Sequence, residues 1–97
     1  MHVISRKALR EFSDQHPESE EVLSDWFRKA KRISPTNHAE LKQTFASADV
    51  FGGCVVFNVG GNNYRVIAYV HYRNQRLFIR AVLTHAEYDR DKWKSEC

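Results

Sequence analysis

Two turn sequences divide the second half of the chain into three short apolar segments, and this pattern constrains the fold most. The first turn is Gly-Gly-Asn-Asn at residues 60–63, and the second is Arg-Asn-Gln at residues 73–75. The segments around them, residues 53–59, 64–72 and 76–83, are rich in β-branched and aromatic side chains. Because such short turns join neighbouring antiparallel strands, the sequence predicts a three-stranded meander.

Helical patterns precede the meander. Residues 6–16 form the first predicted helix, and Ser19 begins a second helix with one apolar side. A short third helix is predicted after Asn37, a residue type that caps helix N-termini. Val3 and Ile4 are expected to begin a short edge strand. The expected fold class is therefore α+β, with N-terminal helices packed on one face of a small, mainly antiparallel sheet.

Length and composition limit the class of protein. A chain of 97 residues suits one core, so we expect residues 1–97 to form a single domain. No apolar run approaches the roughly 20 residues that span a bilayer, and the first residues do not resemble a secretory signal. Cys54 and Cys97 lack the spacing of a metal site, and Cys54 is expected to be a small buried hydrophobic residue. A reducing, cytosolic compartment is therefore expected.

The net charge of +3 is carried by the second half of the chain. Residues 1–50 contain eight basic and eight acidic residues, whereas residues 51–97 contain seven basic and four acidic residues. No carboxylate occurs between Asp49 and Glu87, and that interval contains Arg65, Arg73, Arg76 and Arg80. Such an uncompensated cluster attracts polyanions. Beside a turn, arginines also protect sheet edges from aggregation, and for Arg73 and Arg76 this alternative stays open.

Strand alternation assigns these side chains to faces of the sheet. In the middle strand, one side is expected to present Arg65, Ile67, Tyr69 and His71. In the last strand, one side is expected to present Phe78, Arg80, Val82 and Thr84. With the aliphatic sides packed under the helices, Arg65 and Arg80 would share the open face, with His85 just past the strand end. Guanidinium groups fit phosphate and aromatic rings stack on bases, although an ordinary half-exposed sheet face would also tolerate these residues.

Several short motifs, in order, carry a family resemblance. They are Phe-Asn-Val-Gly-Gly-Asn-Asn-Tyr-Arg at residues 57–65, Phe-Ile-Arg at 78–80, and Thr-His-Ala-Glu-Tyr-Asp at 84–89. Their order and spacing resemble the HigB family of toxin mRNA interferases, a branch of the RelE-like toxin superfamily. The resemblance extends over nearly the whole chain, from Met-His-Val-Ile at residues 1–4 to residue 89.

The resemblance implies a RelE-like fold and a toxin of a type II toxin–antitoxin system. Toxins of this family inhibit translation and growth by cleaving mRNA, generally on the ribosome, and they need no metal or other cofactor. The 2′-hydroxyl of the RNA attacks the adjacent phosphate and leaves a 2′,3′-cyclic phosphate and a 5′-hydroxyl. Such an enzyme must remove one proton, supply another, and stabilise negative charge on phosphorus.

The same resemblance suggests which residues carry the chemistry. His85 matches the family's histidine in residues 84–89 and is expected to be the general acid or base, because imidazole exchanges protons near neutral pH. Arg65 and Arg80 are expected to hold the phosphate, and Tyr88 to stack on a base or share in proton transfer. Asp89 is expected to orient a neighbour, and no metal site is expected. Further RNA-binding positions are expected at Asn58, Asn62, Tyr69, His71, Arg73 and Arg76.

A toxin of this kind implies a cognate antitoxin. The expected partner is a HigA-like protein with a helix-turn-helix DNA-binding domain, so that DNA is contacted only through the antitoxin. The expected location is the bacterial cytoplasm, away from membranes. Two other classes stay open on the residues alone: a non-catalytic RNA-binding module, and a protein-interaction domain whose exposed aromatics serve a partner.

Overall fold

Five strands and four helices build the protein, which a computed structural model describes over residues 1–97. The helices are α1 (Arg6–Gln15), α2 (Glu20–Arg32), α3 (His38–Thr44) and α4 (His85–Asp89). The strands are β1 (His2–Ile4), β2 (Asp49–Phe51), β3 (Cys54–Val59), β4 (Tyr64–His71) and β5 (Arg76–Thr84). Short 3-10 helices lie at Pro17–Ser19 and Lys92–Glu96. The predicted α+β class is confirmed.

The strands form one mixed sheet in the order β1-β5-β4-β3-β2. The predicted meander β3-β4-β5 is present, and each of its pairs is antiparallel. The predicted edge strand β1 pairs in parallel with β5, while β2, which was not predicted, pairs antiparallel with β3. Only three residues long and exposed throughout, β2 has no alternating pattern that would reveal it in the sequence.

The main core lies between the sheet and the helices. Leu23 and Trp26 of α2 are buried there against the inward side chains of the strands, such as Phe57 and Val66. The Trp26 and Phe57 rings meet edge to face, with centroids 5.2 Å apart. Asn37 caps α3 as predicted, since its side chain accepts a hydrogen bond from the Glu40 amide. The expectation that the N-terminal helices pack on one face of the sheet is confirmed.

A second, smaller core lies on the opposite face of the sheet. It contains four buried residues, Cys54, Val56, Ile67 and Trp93. Trp93 belongs to residues 85–97, which fold back over the sheet and are called here the C-terminal segment. Ala81, Leu83 and Tyr88 pack against the same cluster. The face that the sequence predicted to be open is therefore partly covered.

The predicted alternation along β5 is wrong because of a bulge. Leu83 pairs with Arg65 and Ala81 with Ile67, but the next pair joins Ile79 to Ala68. Arg80 is therefore the extra residue, and it shifts the phase of the alternation.

As a result, Val82 packs against the main core, and Ala81 and Leu83 pack against the smaller one. Phe78, Arg80, Val82 and Thr84 do not share one side of the sheet.

Cys54 and Cys97 are joined by a disulfide across 43 positions of sequence. Cys54 is buried, as predicted, but the prediction that it is merely a small hydrophobic residue is wrong. The Gly53 amide also donates a hydrogen bond to the Cys97 carbonyl, at 3.1 Å. The disulfide and this hydrogen bond together join the end of the C-terminal segment to the start of β3. None of the helices has the length and apolar character required to cross a membrane.

Candidate active site

His85 is held firmly at the junction of β5 and α4. Thr84 and Glu87 form a reciprocal capping box, in which the Thr84 hydroxyl accepts from the Glu87 amide and the Glu87 carboxylate accepts from the Thr84 amide. The His85 amide donates to the Asn63 carbonyl at 2.9 Å. These contacts fix the start of α4 against the β3–β4 turn. Glu87 is therefore engaged in the cap.

Arg65 is buried behind His85, with only 6% of its surface exposed. Its Nη1 donates to the carbonyl oxygens of Asn62 and Tyr64, each at 3.0 Å. Its guanidinium carbon lies 4.8 Å from the centre of the Tyr88 ring. No carboxylate forms an ion pair with it; the charge is instead compensated by carbonyl dipoles and an aromatic face.

Both nitrogens of the His85 ring have a partner. Arg65 Nη2 lies 3.4 Å from Nδ1, and Asp89 Oδ2 lies 3.1 Å from Nε2. A guanidinium has donors only, so Nδ1 accepts and the neutral ring carries its proton on Nε2, facing Asp89. The His85 and Asp89 side chains are each more than half exposed. The Nε2 side of the ring thus faces the exposed Asp89, and the Nδ1 side faces the buried Arg65.

Trp93 packs against Tyr88, and this role was not predicted from the sequence. Its ring stacks on Tyr88 with centroids 5.1 Å apart and planes at 12°. Its Nε1 donates to the Tyr88 carbonyl at 3.0 Å. The Tyr88 ring therefore contacts both the Arg65 guanidinium and the Trp93 ring. A tryptophan among charged residues in a polar segment was the available signal, because so large an apolar ring needs a place to pack.

Asn58, Asn62 and Arg80 lie at different distances from this centre. Asn58 pairs directly with Arg65 and is half-buried, while Asn62 contributes its carbonyl to Arg65 from the turn. Arg80 is exposed, forms no ion pair, and lies three positions along β5 from the residue opposite Arg65. Strand geometry puts that separation at about 10 Å. The two predicted arginines are therefore offset by about 10 Å along the sheet.

The other four predicted RNA-binding residues lie toward the far end of the strands. His71 pairs with Arg76, six positions along β4 from Arg65, which corresponds to about 20 Å. Tyr69 is 43% exposed, and its ring lies 6.1 Å from that of His71. Arg73 is exposed in the β4–β5 turn. These residues form a second group that does not touch His85.

Comparison with known proteins agrees with this architecture. Residues 19–91 match the HigB toxin family, described as the RelE-like toxic component of a toxin–antitoxin system. The chain is 34% identical over 93 residues to the mRNA interferase HigB of Escherichia coli O6:H1, covering 93% of this chain and 90% of that protein. It is 38% identical over 95 residues to the mRNA interferase toxin HigB of Escherichia coli K12 and to the mRNA interferase HigB of Shigella flexneri, covering 92% of this chain and 88% of each.

An α+β fold with this match defines a RelE-like toxin of a toxin–antitoxin system. Within that class, the chain belongs to the HigB toxin family. Membership implies a cognate antitoxin as its partner.

Proposed function

We propose that residues 1–97 form a single toxin-type endoribonuclease domain that cleaves mRNA and thereby inhibits translation and growth. Family membership and relatives named mRNA interferases support the activity. The observation that carries the proposal to particular residues is the position of the His85 imidazole, which lies between a buried arginine and Asp89 and is half exposed. Such a group can exchange protons with RNA.

The proposed reaction is attack of the RNA 2′-hydroxyl on the adjacent phosphorus. A bond forms between the 2′-oxygen and phosphorus, the bond from phosphorus to the 5′-oxygen breaks, and the 2′-proton is lost while the 5′-oxygen gains one. His85 exchanges one of these protons as general acid or base, and Asp89 orients the ring. Arg80, exposed and without an ion pair, holds the phosphate and its developing charge. The residues themselves provide this chemistry, with no cofactor in the proposal.

Arg65 and Tyr88 complete the proposed site, because Arg65 contacts both His85 and Tyr88. The Tyr88 ring already packs against the guanidinium and against Trp93, so its hydroxyl edge, rather than a free ring face, is what remains for RNA. Sharing in proton transfer is thus favoured over stacking on a base.

The RNA is proposed to continue along the sheet away from His85. Two asparagines flank Arg65, and an exposed tyrosine and further cations follow toward the far end. Aromatic rings and guanidinium groups along one path suit a single strand. The proposed RNA-binding residues are Asn58, Asn62, Tyr69, His71, Arg73 and Arg76.

The setting of the reaction follows from the proposed family activity. The substrate is proposed to be mRNA during translation on the ribosome, in the bacterial cytoplasm. The antitoxin is proposed to be HigA-like, with a helix-turn-helix domain, so that this chain meets DNA only as part of the complex. No membrane takes part in the proposed activity.

Primer extension on a translated mRNA, after induction of this chain alone, tests the activity. Discrete new 5′ ends are expected with the wild type and are expected to disappear with His85→Ala or Arg80→Ala. His2→Ala and Arg32→Ala are matched controls, since both residues are exposed and outside the site, and they should cleave like the wild type. An unchanged transcript with full-length protein present would contradict the proposal and favour a binding module.

A further inference from the structure

We propose that Arg65 is a positioning residue that acts through His85 and does not bind the RNA phosphate. This inference rests on the proposed nuclease function and changes the role expected for Arg65 from the sequence. It starts from the difference between two arginines of the same sheet. Arg80 is exposed and forms no ion pair, whereas Arg65 is 94% buried and has a partner at both terminal nitrogens of its guanidinium.

The contacts of Arg65 leave little of its guanidinium for a phosphate. Nη1 is occupied by two carbonyl oxygens, and the Tyr88 ring lies against the guanidinium plane. A fork that binds phosphate needs two adjacent N–H groups pointing outward. Here one of the two terminal nitrogens points at backbone and the other at His85. To reach a phosphate, Arg65 would have to give up these contacts.

The contact with His85 has a definite chemical consequence. Because a guanidinium cannot accept a hydrogen bond, the Arg65 contact requires a lone pair on Nδ1. The neutral ring therefore carries its proton on Nε2, the nitrogen that faces Asp89 and solvent. Arg65 thus orients the ring so that protons pass through Nε2 and not through Nδ1. The Tyr88 ring, which itself stacks on Trp93, contacts the guanidinium and helps to keep it in place.

The His85 tautomer in the protein alone provides the first test. Nitrogen chemical shifts of the neutral ring, assigned with a His85→Gln variant, should show a protonated Nε2 and an unprotonated Nδ1. Asp89 favours the same tautomer, so the measurement is repeated in Asp89→Ala. We expect that variant to keep the Nε2–H form and the double variant with Arg65→Met to populate both forms. A protonated Nδ1 in the wild type or in Asp89→Ala would overturn the proposal.

Salt dependence of RNA binding provides the second test. The probe is a single-stranded oligoribonucleotide with 2′-O-methyl groups, which cannot attack the phosphate. Loss of one phosphate contact on a single strand lowers the slope of log affinity against log salt by roughly 0.7. We expect Arg80→Ala to lower the slope by that amount and Arg65→Met to leave it at the wild-type value. An equal decrease in both variants would make Arg65 a phosphate ligand and overturn the proposal.

Cleavage kinetics complete the design. Arg65→Met and Arg65→Lys are expected to lower kcat with little change in KM, because lysine keeps the charge but lacks the planar group that meets both His85 and Tyr88. Recovery of wild-type kcat by Arg65→Lys would contradict the positioning role. If Arg65→Met fails to fold, the His85 tautomer in the wild type and in Asp89→Ala still tests the positioning role of Arg65. If the wild type neither binds nor cleaves RNA, the proposed function fails, and the tautomer remains an independent result.

Discussion

Removing the Trp93 indole is expected to detach the C-terminal segment while the main core stays folded. Trp93 is 7% exposed and belongs to the smaller core with Val56 and Ile67. It stacks on Tyr88 and donates to the Tyr88 carbonyl, so it is the main apolar anchor of the segment that carries His85. None of the residues of the larger core is part of this cluster.

The size of the effect follows from the buried area. An aromatic side chain of this size buries about 200 Å², which at about 25 cal/mol per Å² corresponds to about 5 kcal/mol. This is an upper value because unfolded chains already bury some apolar surface, and Trp→Ala changes in cores cost about 3–5 kcal/mol. Since about 1.4 kcal/mol is a factor of ten, a cost of about 3–5 kcal/mol should make opening of the segment about 100- to 4,000-fold more frequent.

Amide hydrogen exchange of residues 85–96 measures that opening. The experiment is done with the thiols reduced, because the disulfide at Cys97 would otherwise tether the segment. The chain has two tryptophans, so Trp93→Ala leaves Trp26 as a single fluorophore in the main core. Its fluorescence in urea should still show one cooperative transition. Cleavage of mRNA should fall, because Tyr88 and Arg65 lose their support behind His85.

The matched variant is Trp93→Phe. It keeps a ring against Tyr88 and removes the Nε1 donor, which should cost only about 1 kcal/mol. A folded Trp93→Ala protein whose segment exchanges as slowly as that of the wild type, with full cleavage, would refute the reasoning.

Three further results are expected. Thr84→Ala removes the cap of α4 and should lower stability by about 1 kcal/mol and also lower mRNA cleavage. Thr84→Ser should keep both the stability and the cleavage of the wild type. Equal melting temperatures for Thr84→Ala and the wild type would argue against the cap. Under oxidising conditions Cys97→Ser should lower the free energy of unfolding by up to about 4 kcal/mol, the chain-entropy value for a loop of 43 positions. Under reducing conditions the variant should be as stable as the wild type. Two alkylatable thiols in the oxidised wild type would exclude the bond between Cys97 and Cys54. Burial raises the pKa of the Tyr72 phenol, so the folded state holds a proton that the unfolded state releases, and stability should fall as pH rises above about 10. Tyr72→Phe should make this loss of stability smaller, and the Tyr64 phenol, whose pKa is also raised, should account for the loss that remains. At pH 7 the substitution should hardly change stability, because the Tyr72 hydroxyl has no hydrogen-bond partner. An unchanged dependence of stability on alkaline pH would contradict this prediction.

Local chemistry explains which elements were predictable. The β3–β4 turn consists of two glycines and two asparagines, the β4–β5 turn is short and polar, and the apolar side of α2 repeats at helical spacing. These signals act between residues close in sequence, so the order of elements and the α+β class follow from them. The three-residue strand β2 has no such signal, because it exists only by pairing with β3.

The faces of the sheet were predictable only up to the bulge at Arg80. Alternation assigns sides correctly along β4, where Arg65 and Tyr69 lie opposite the main core. Along β5, the extra residue reverses the assignment from Ala81 onward, and a bulge depends on how two strands fit together. Sequence reasoning therefore assigned Ala81, Val82 and Leu83 to the wrong sides of the sheet.

The sequence by itself determined the family, the succession of elements and the presence of His85 at the end of the last strand. Only the tertiary structure brought Arg65 and Trp93 into contact with Tyr88, and joined Cys54 to Cys97. The reason is physical. A segment with several arginines and no carboxylates is positively charged in any fold, so the charge itself follows from the sequence. The fold decides that Arg65 is buried against backbone carbonyls and that Arg80 is exposed to solvent. That difference arises from how residues 85–97 pack on the sheet.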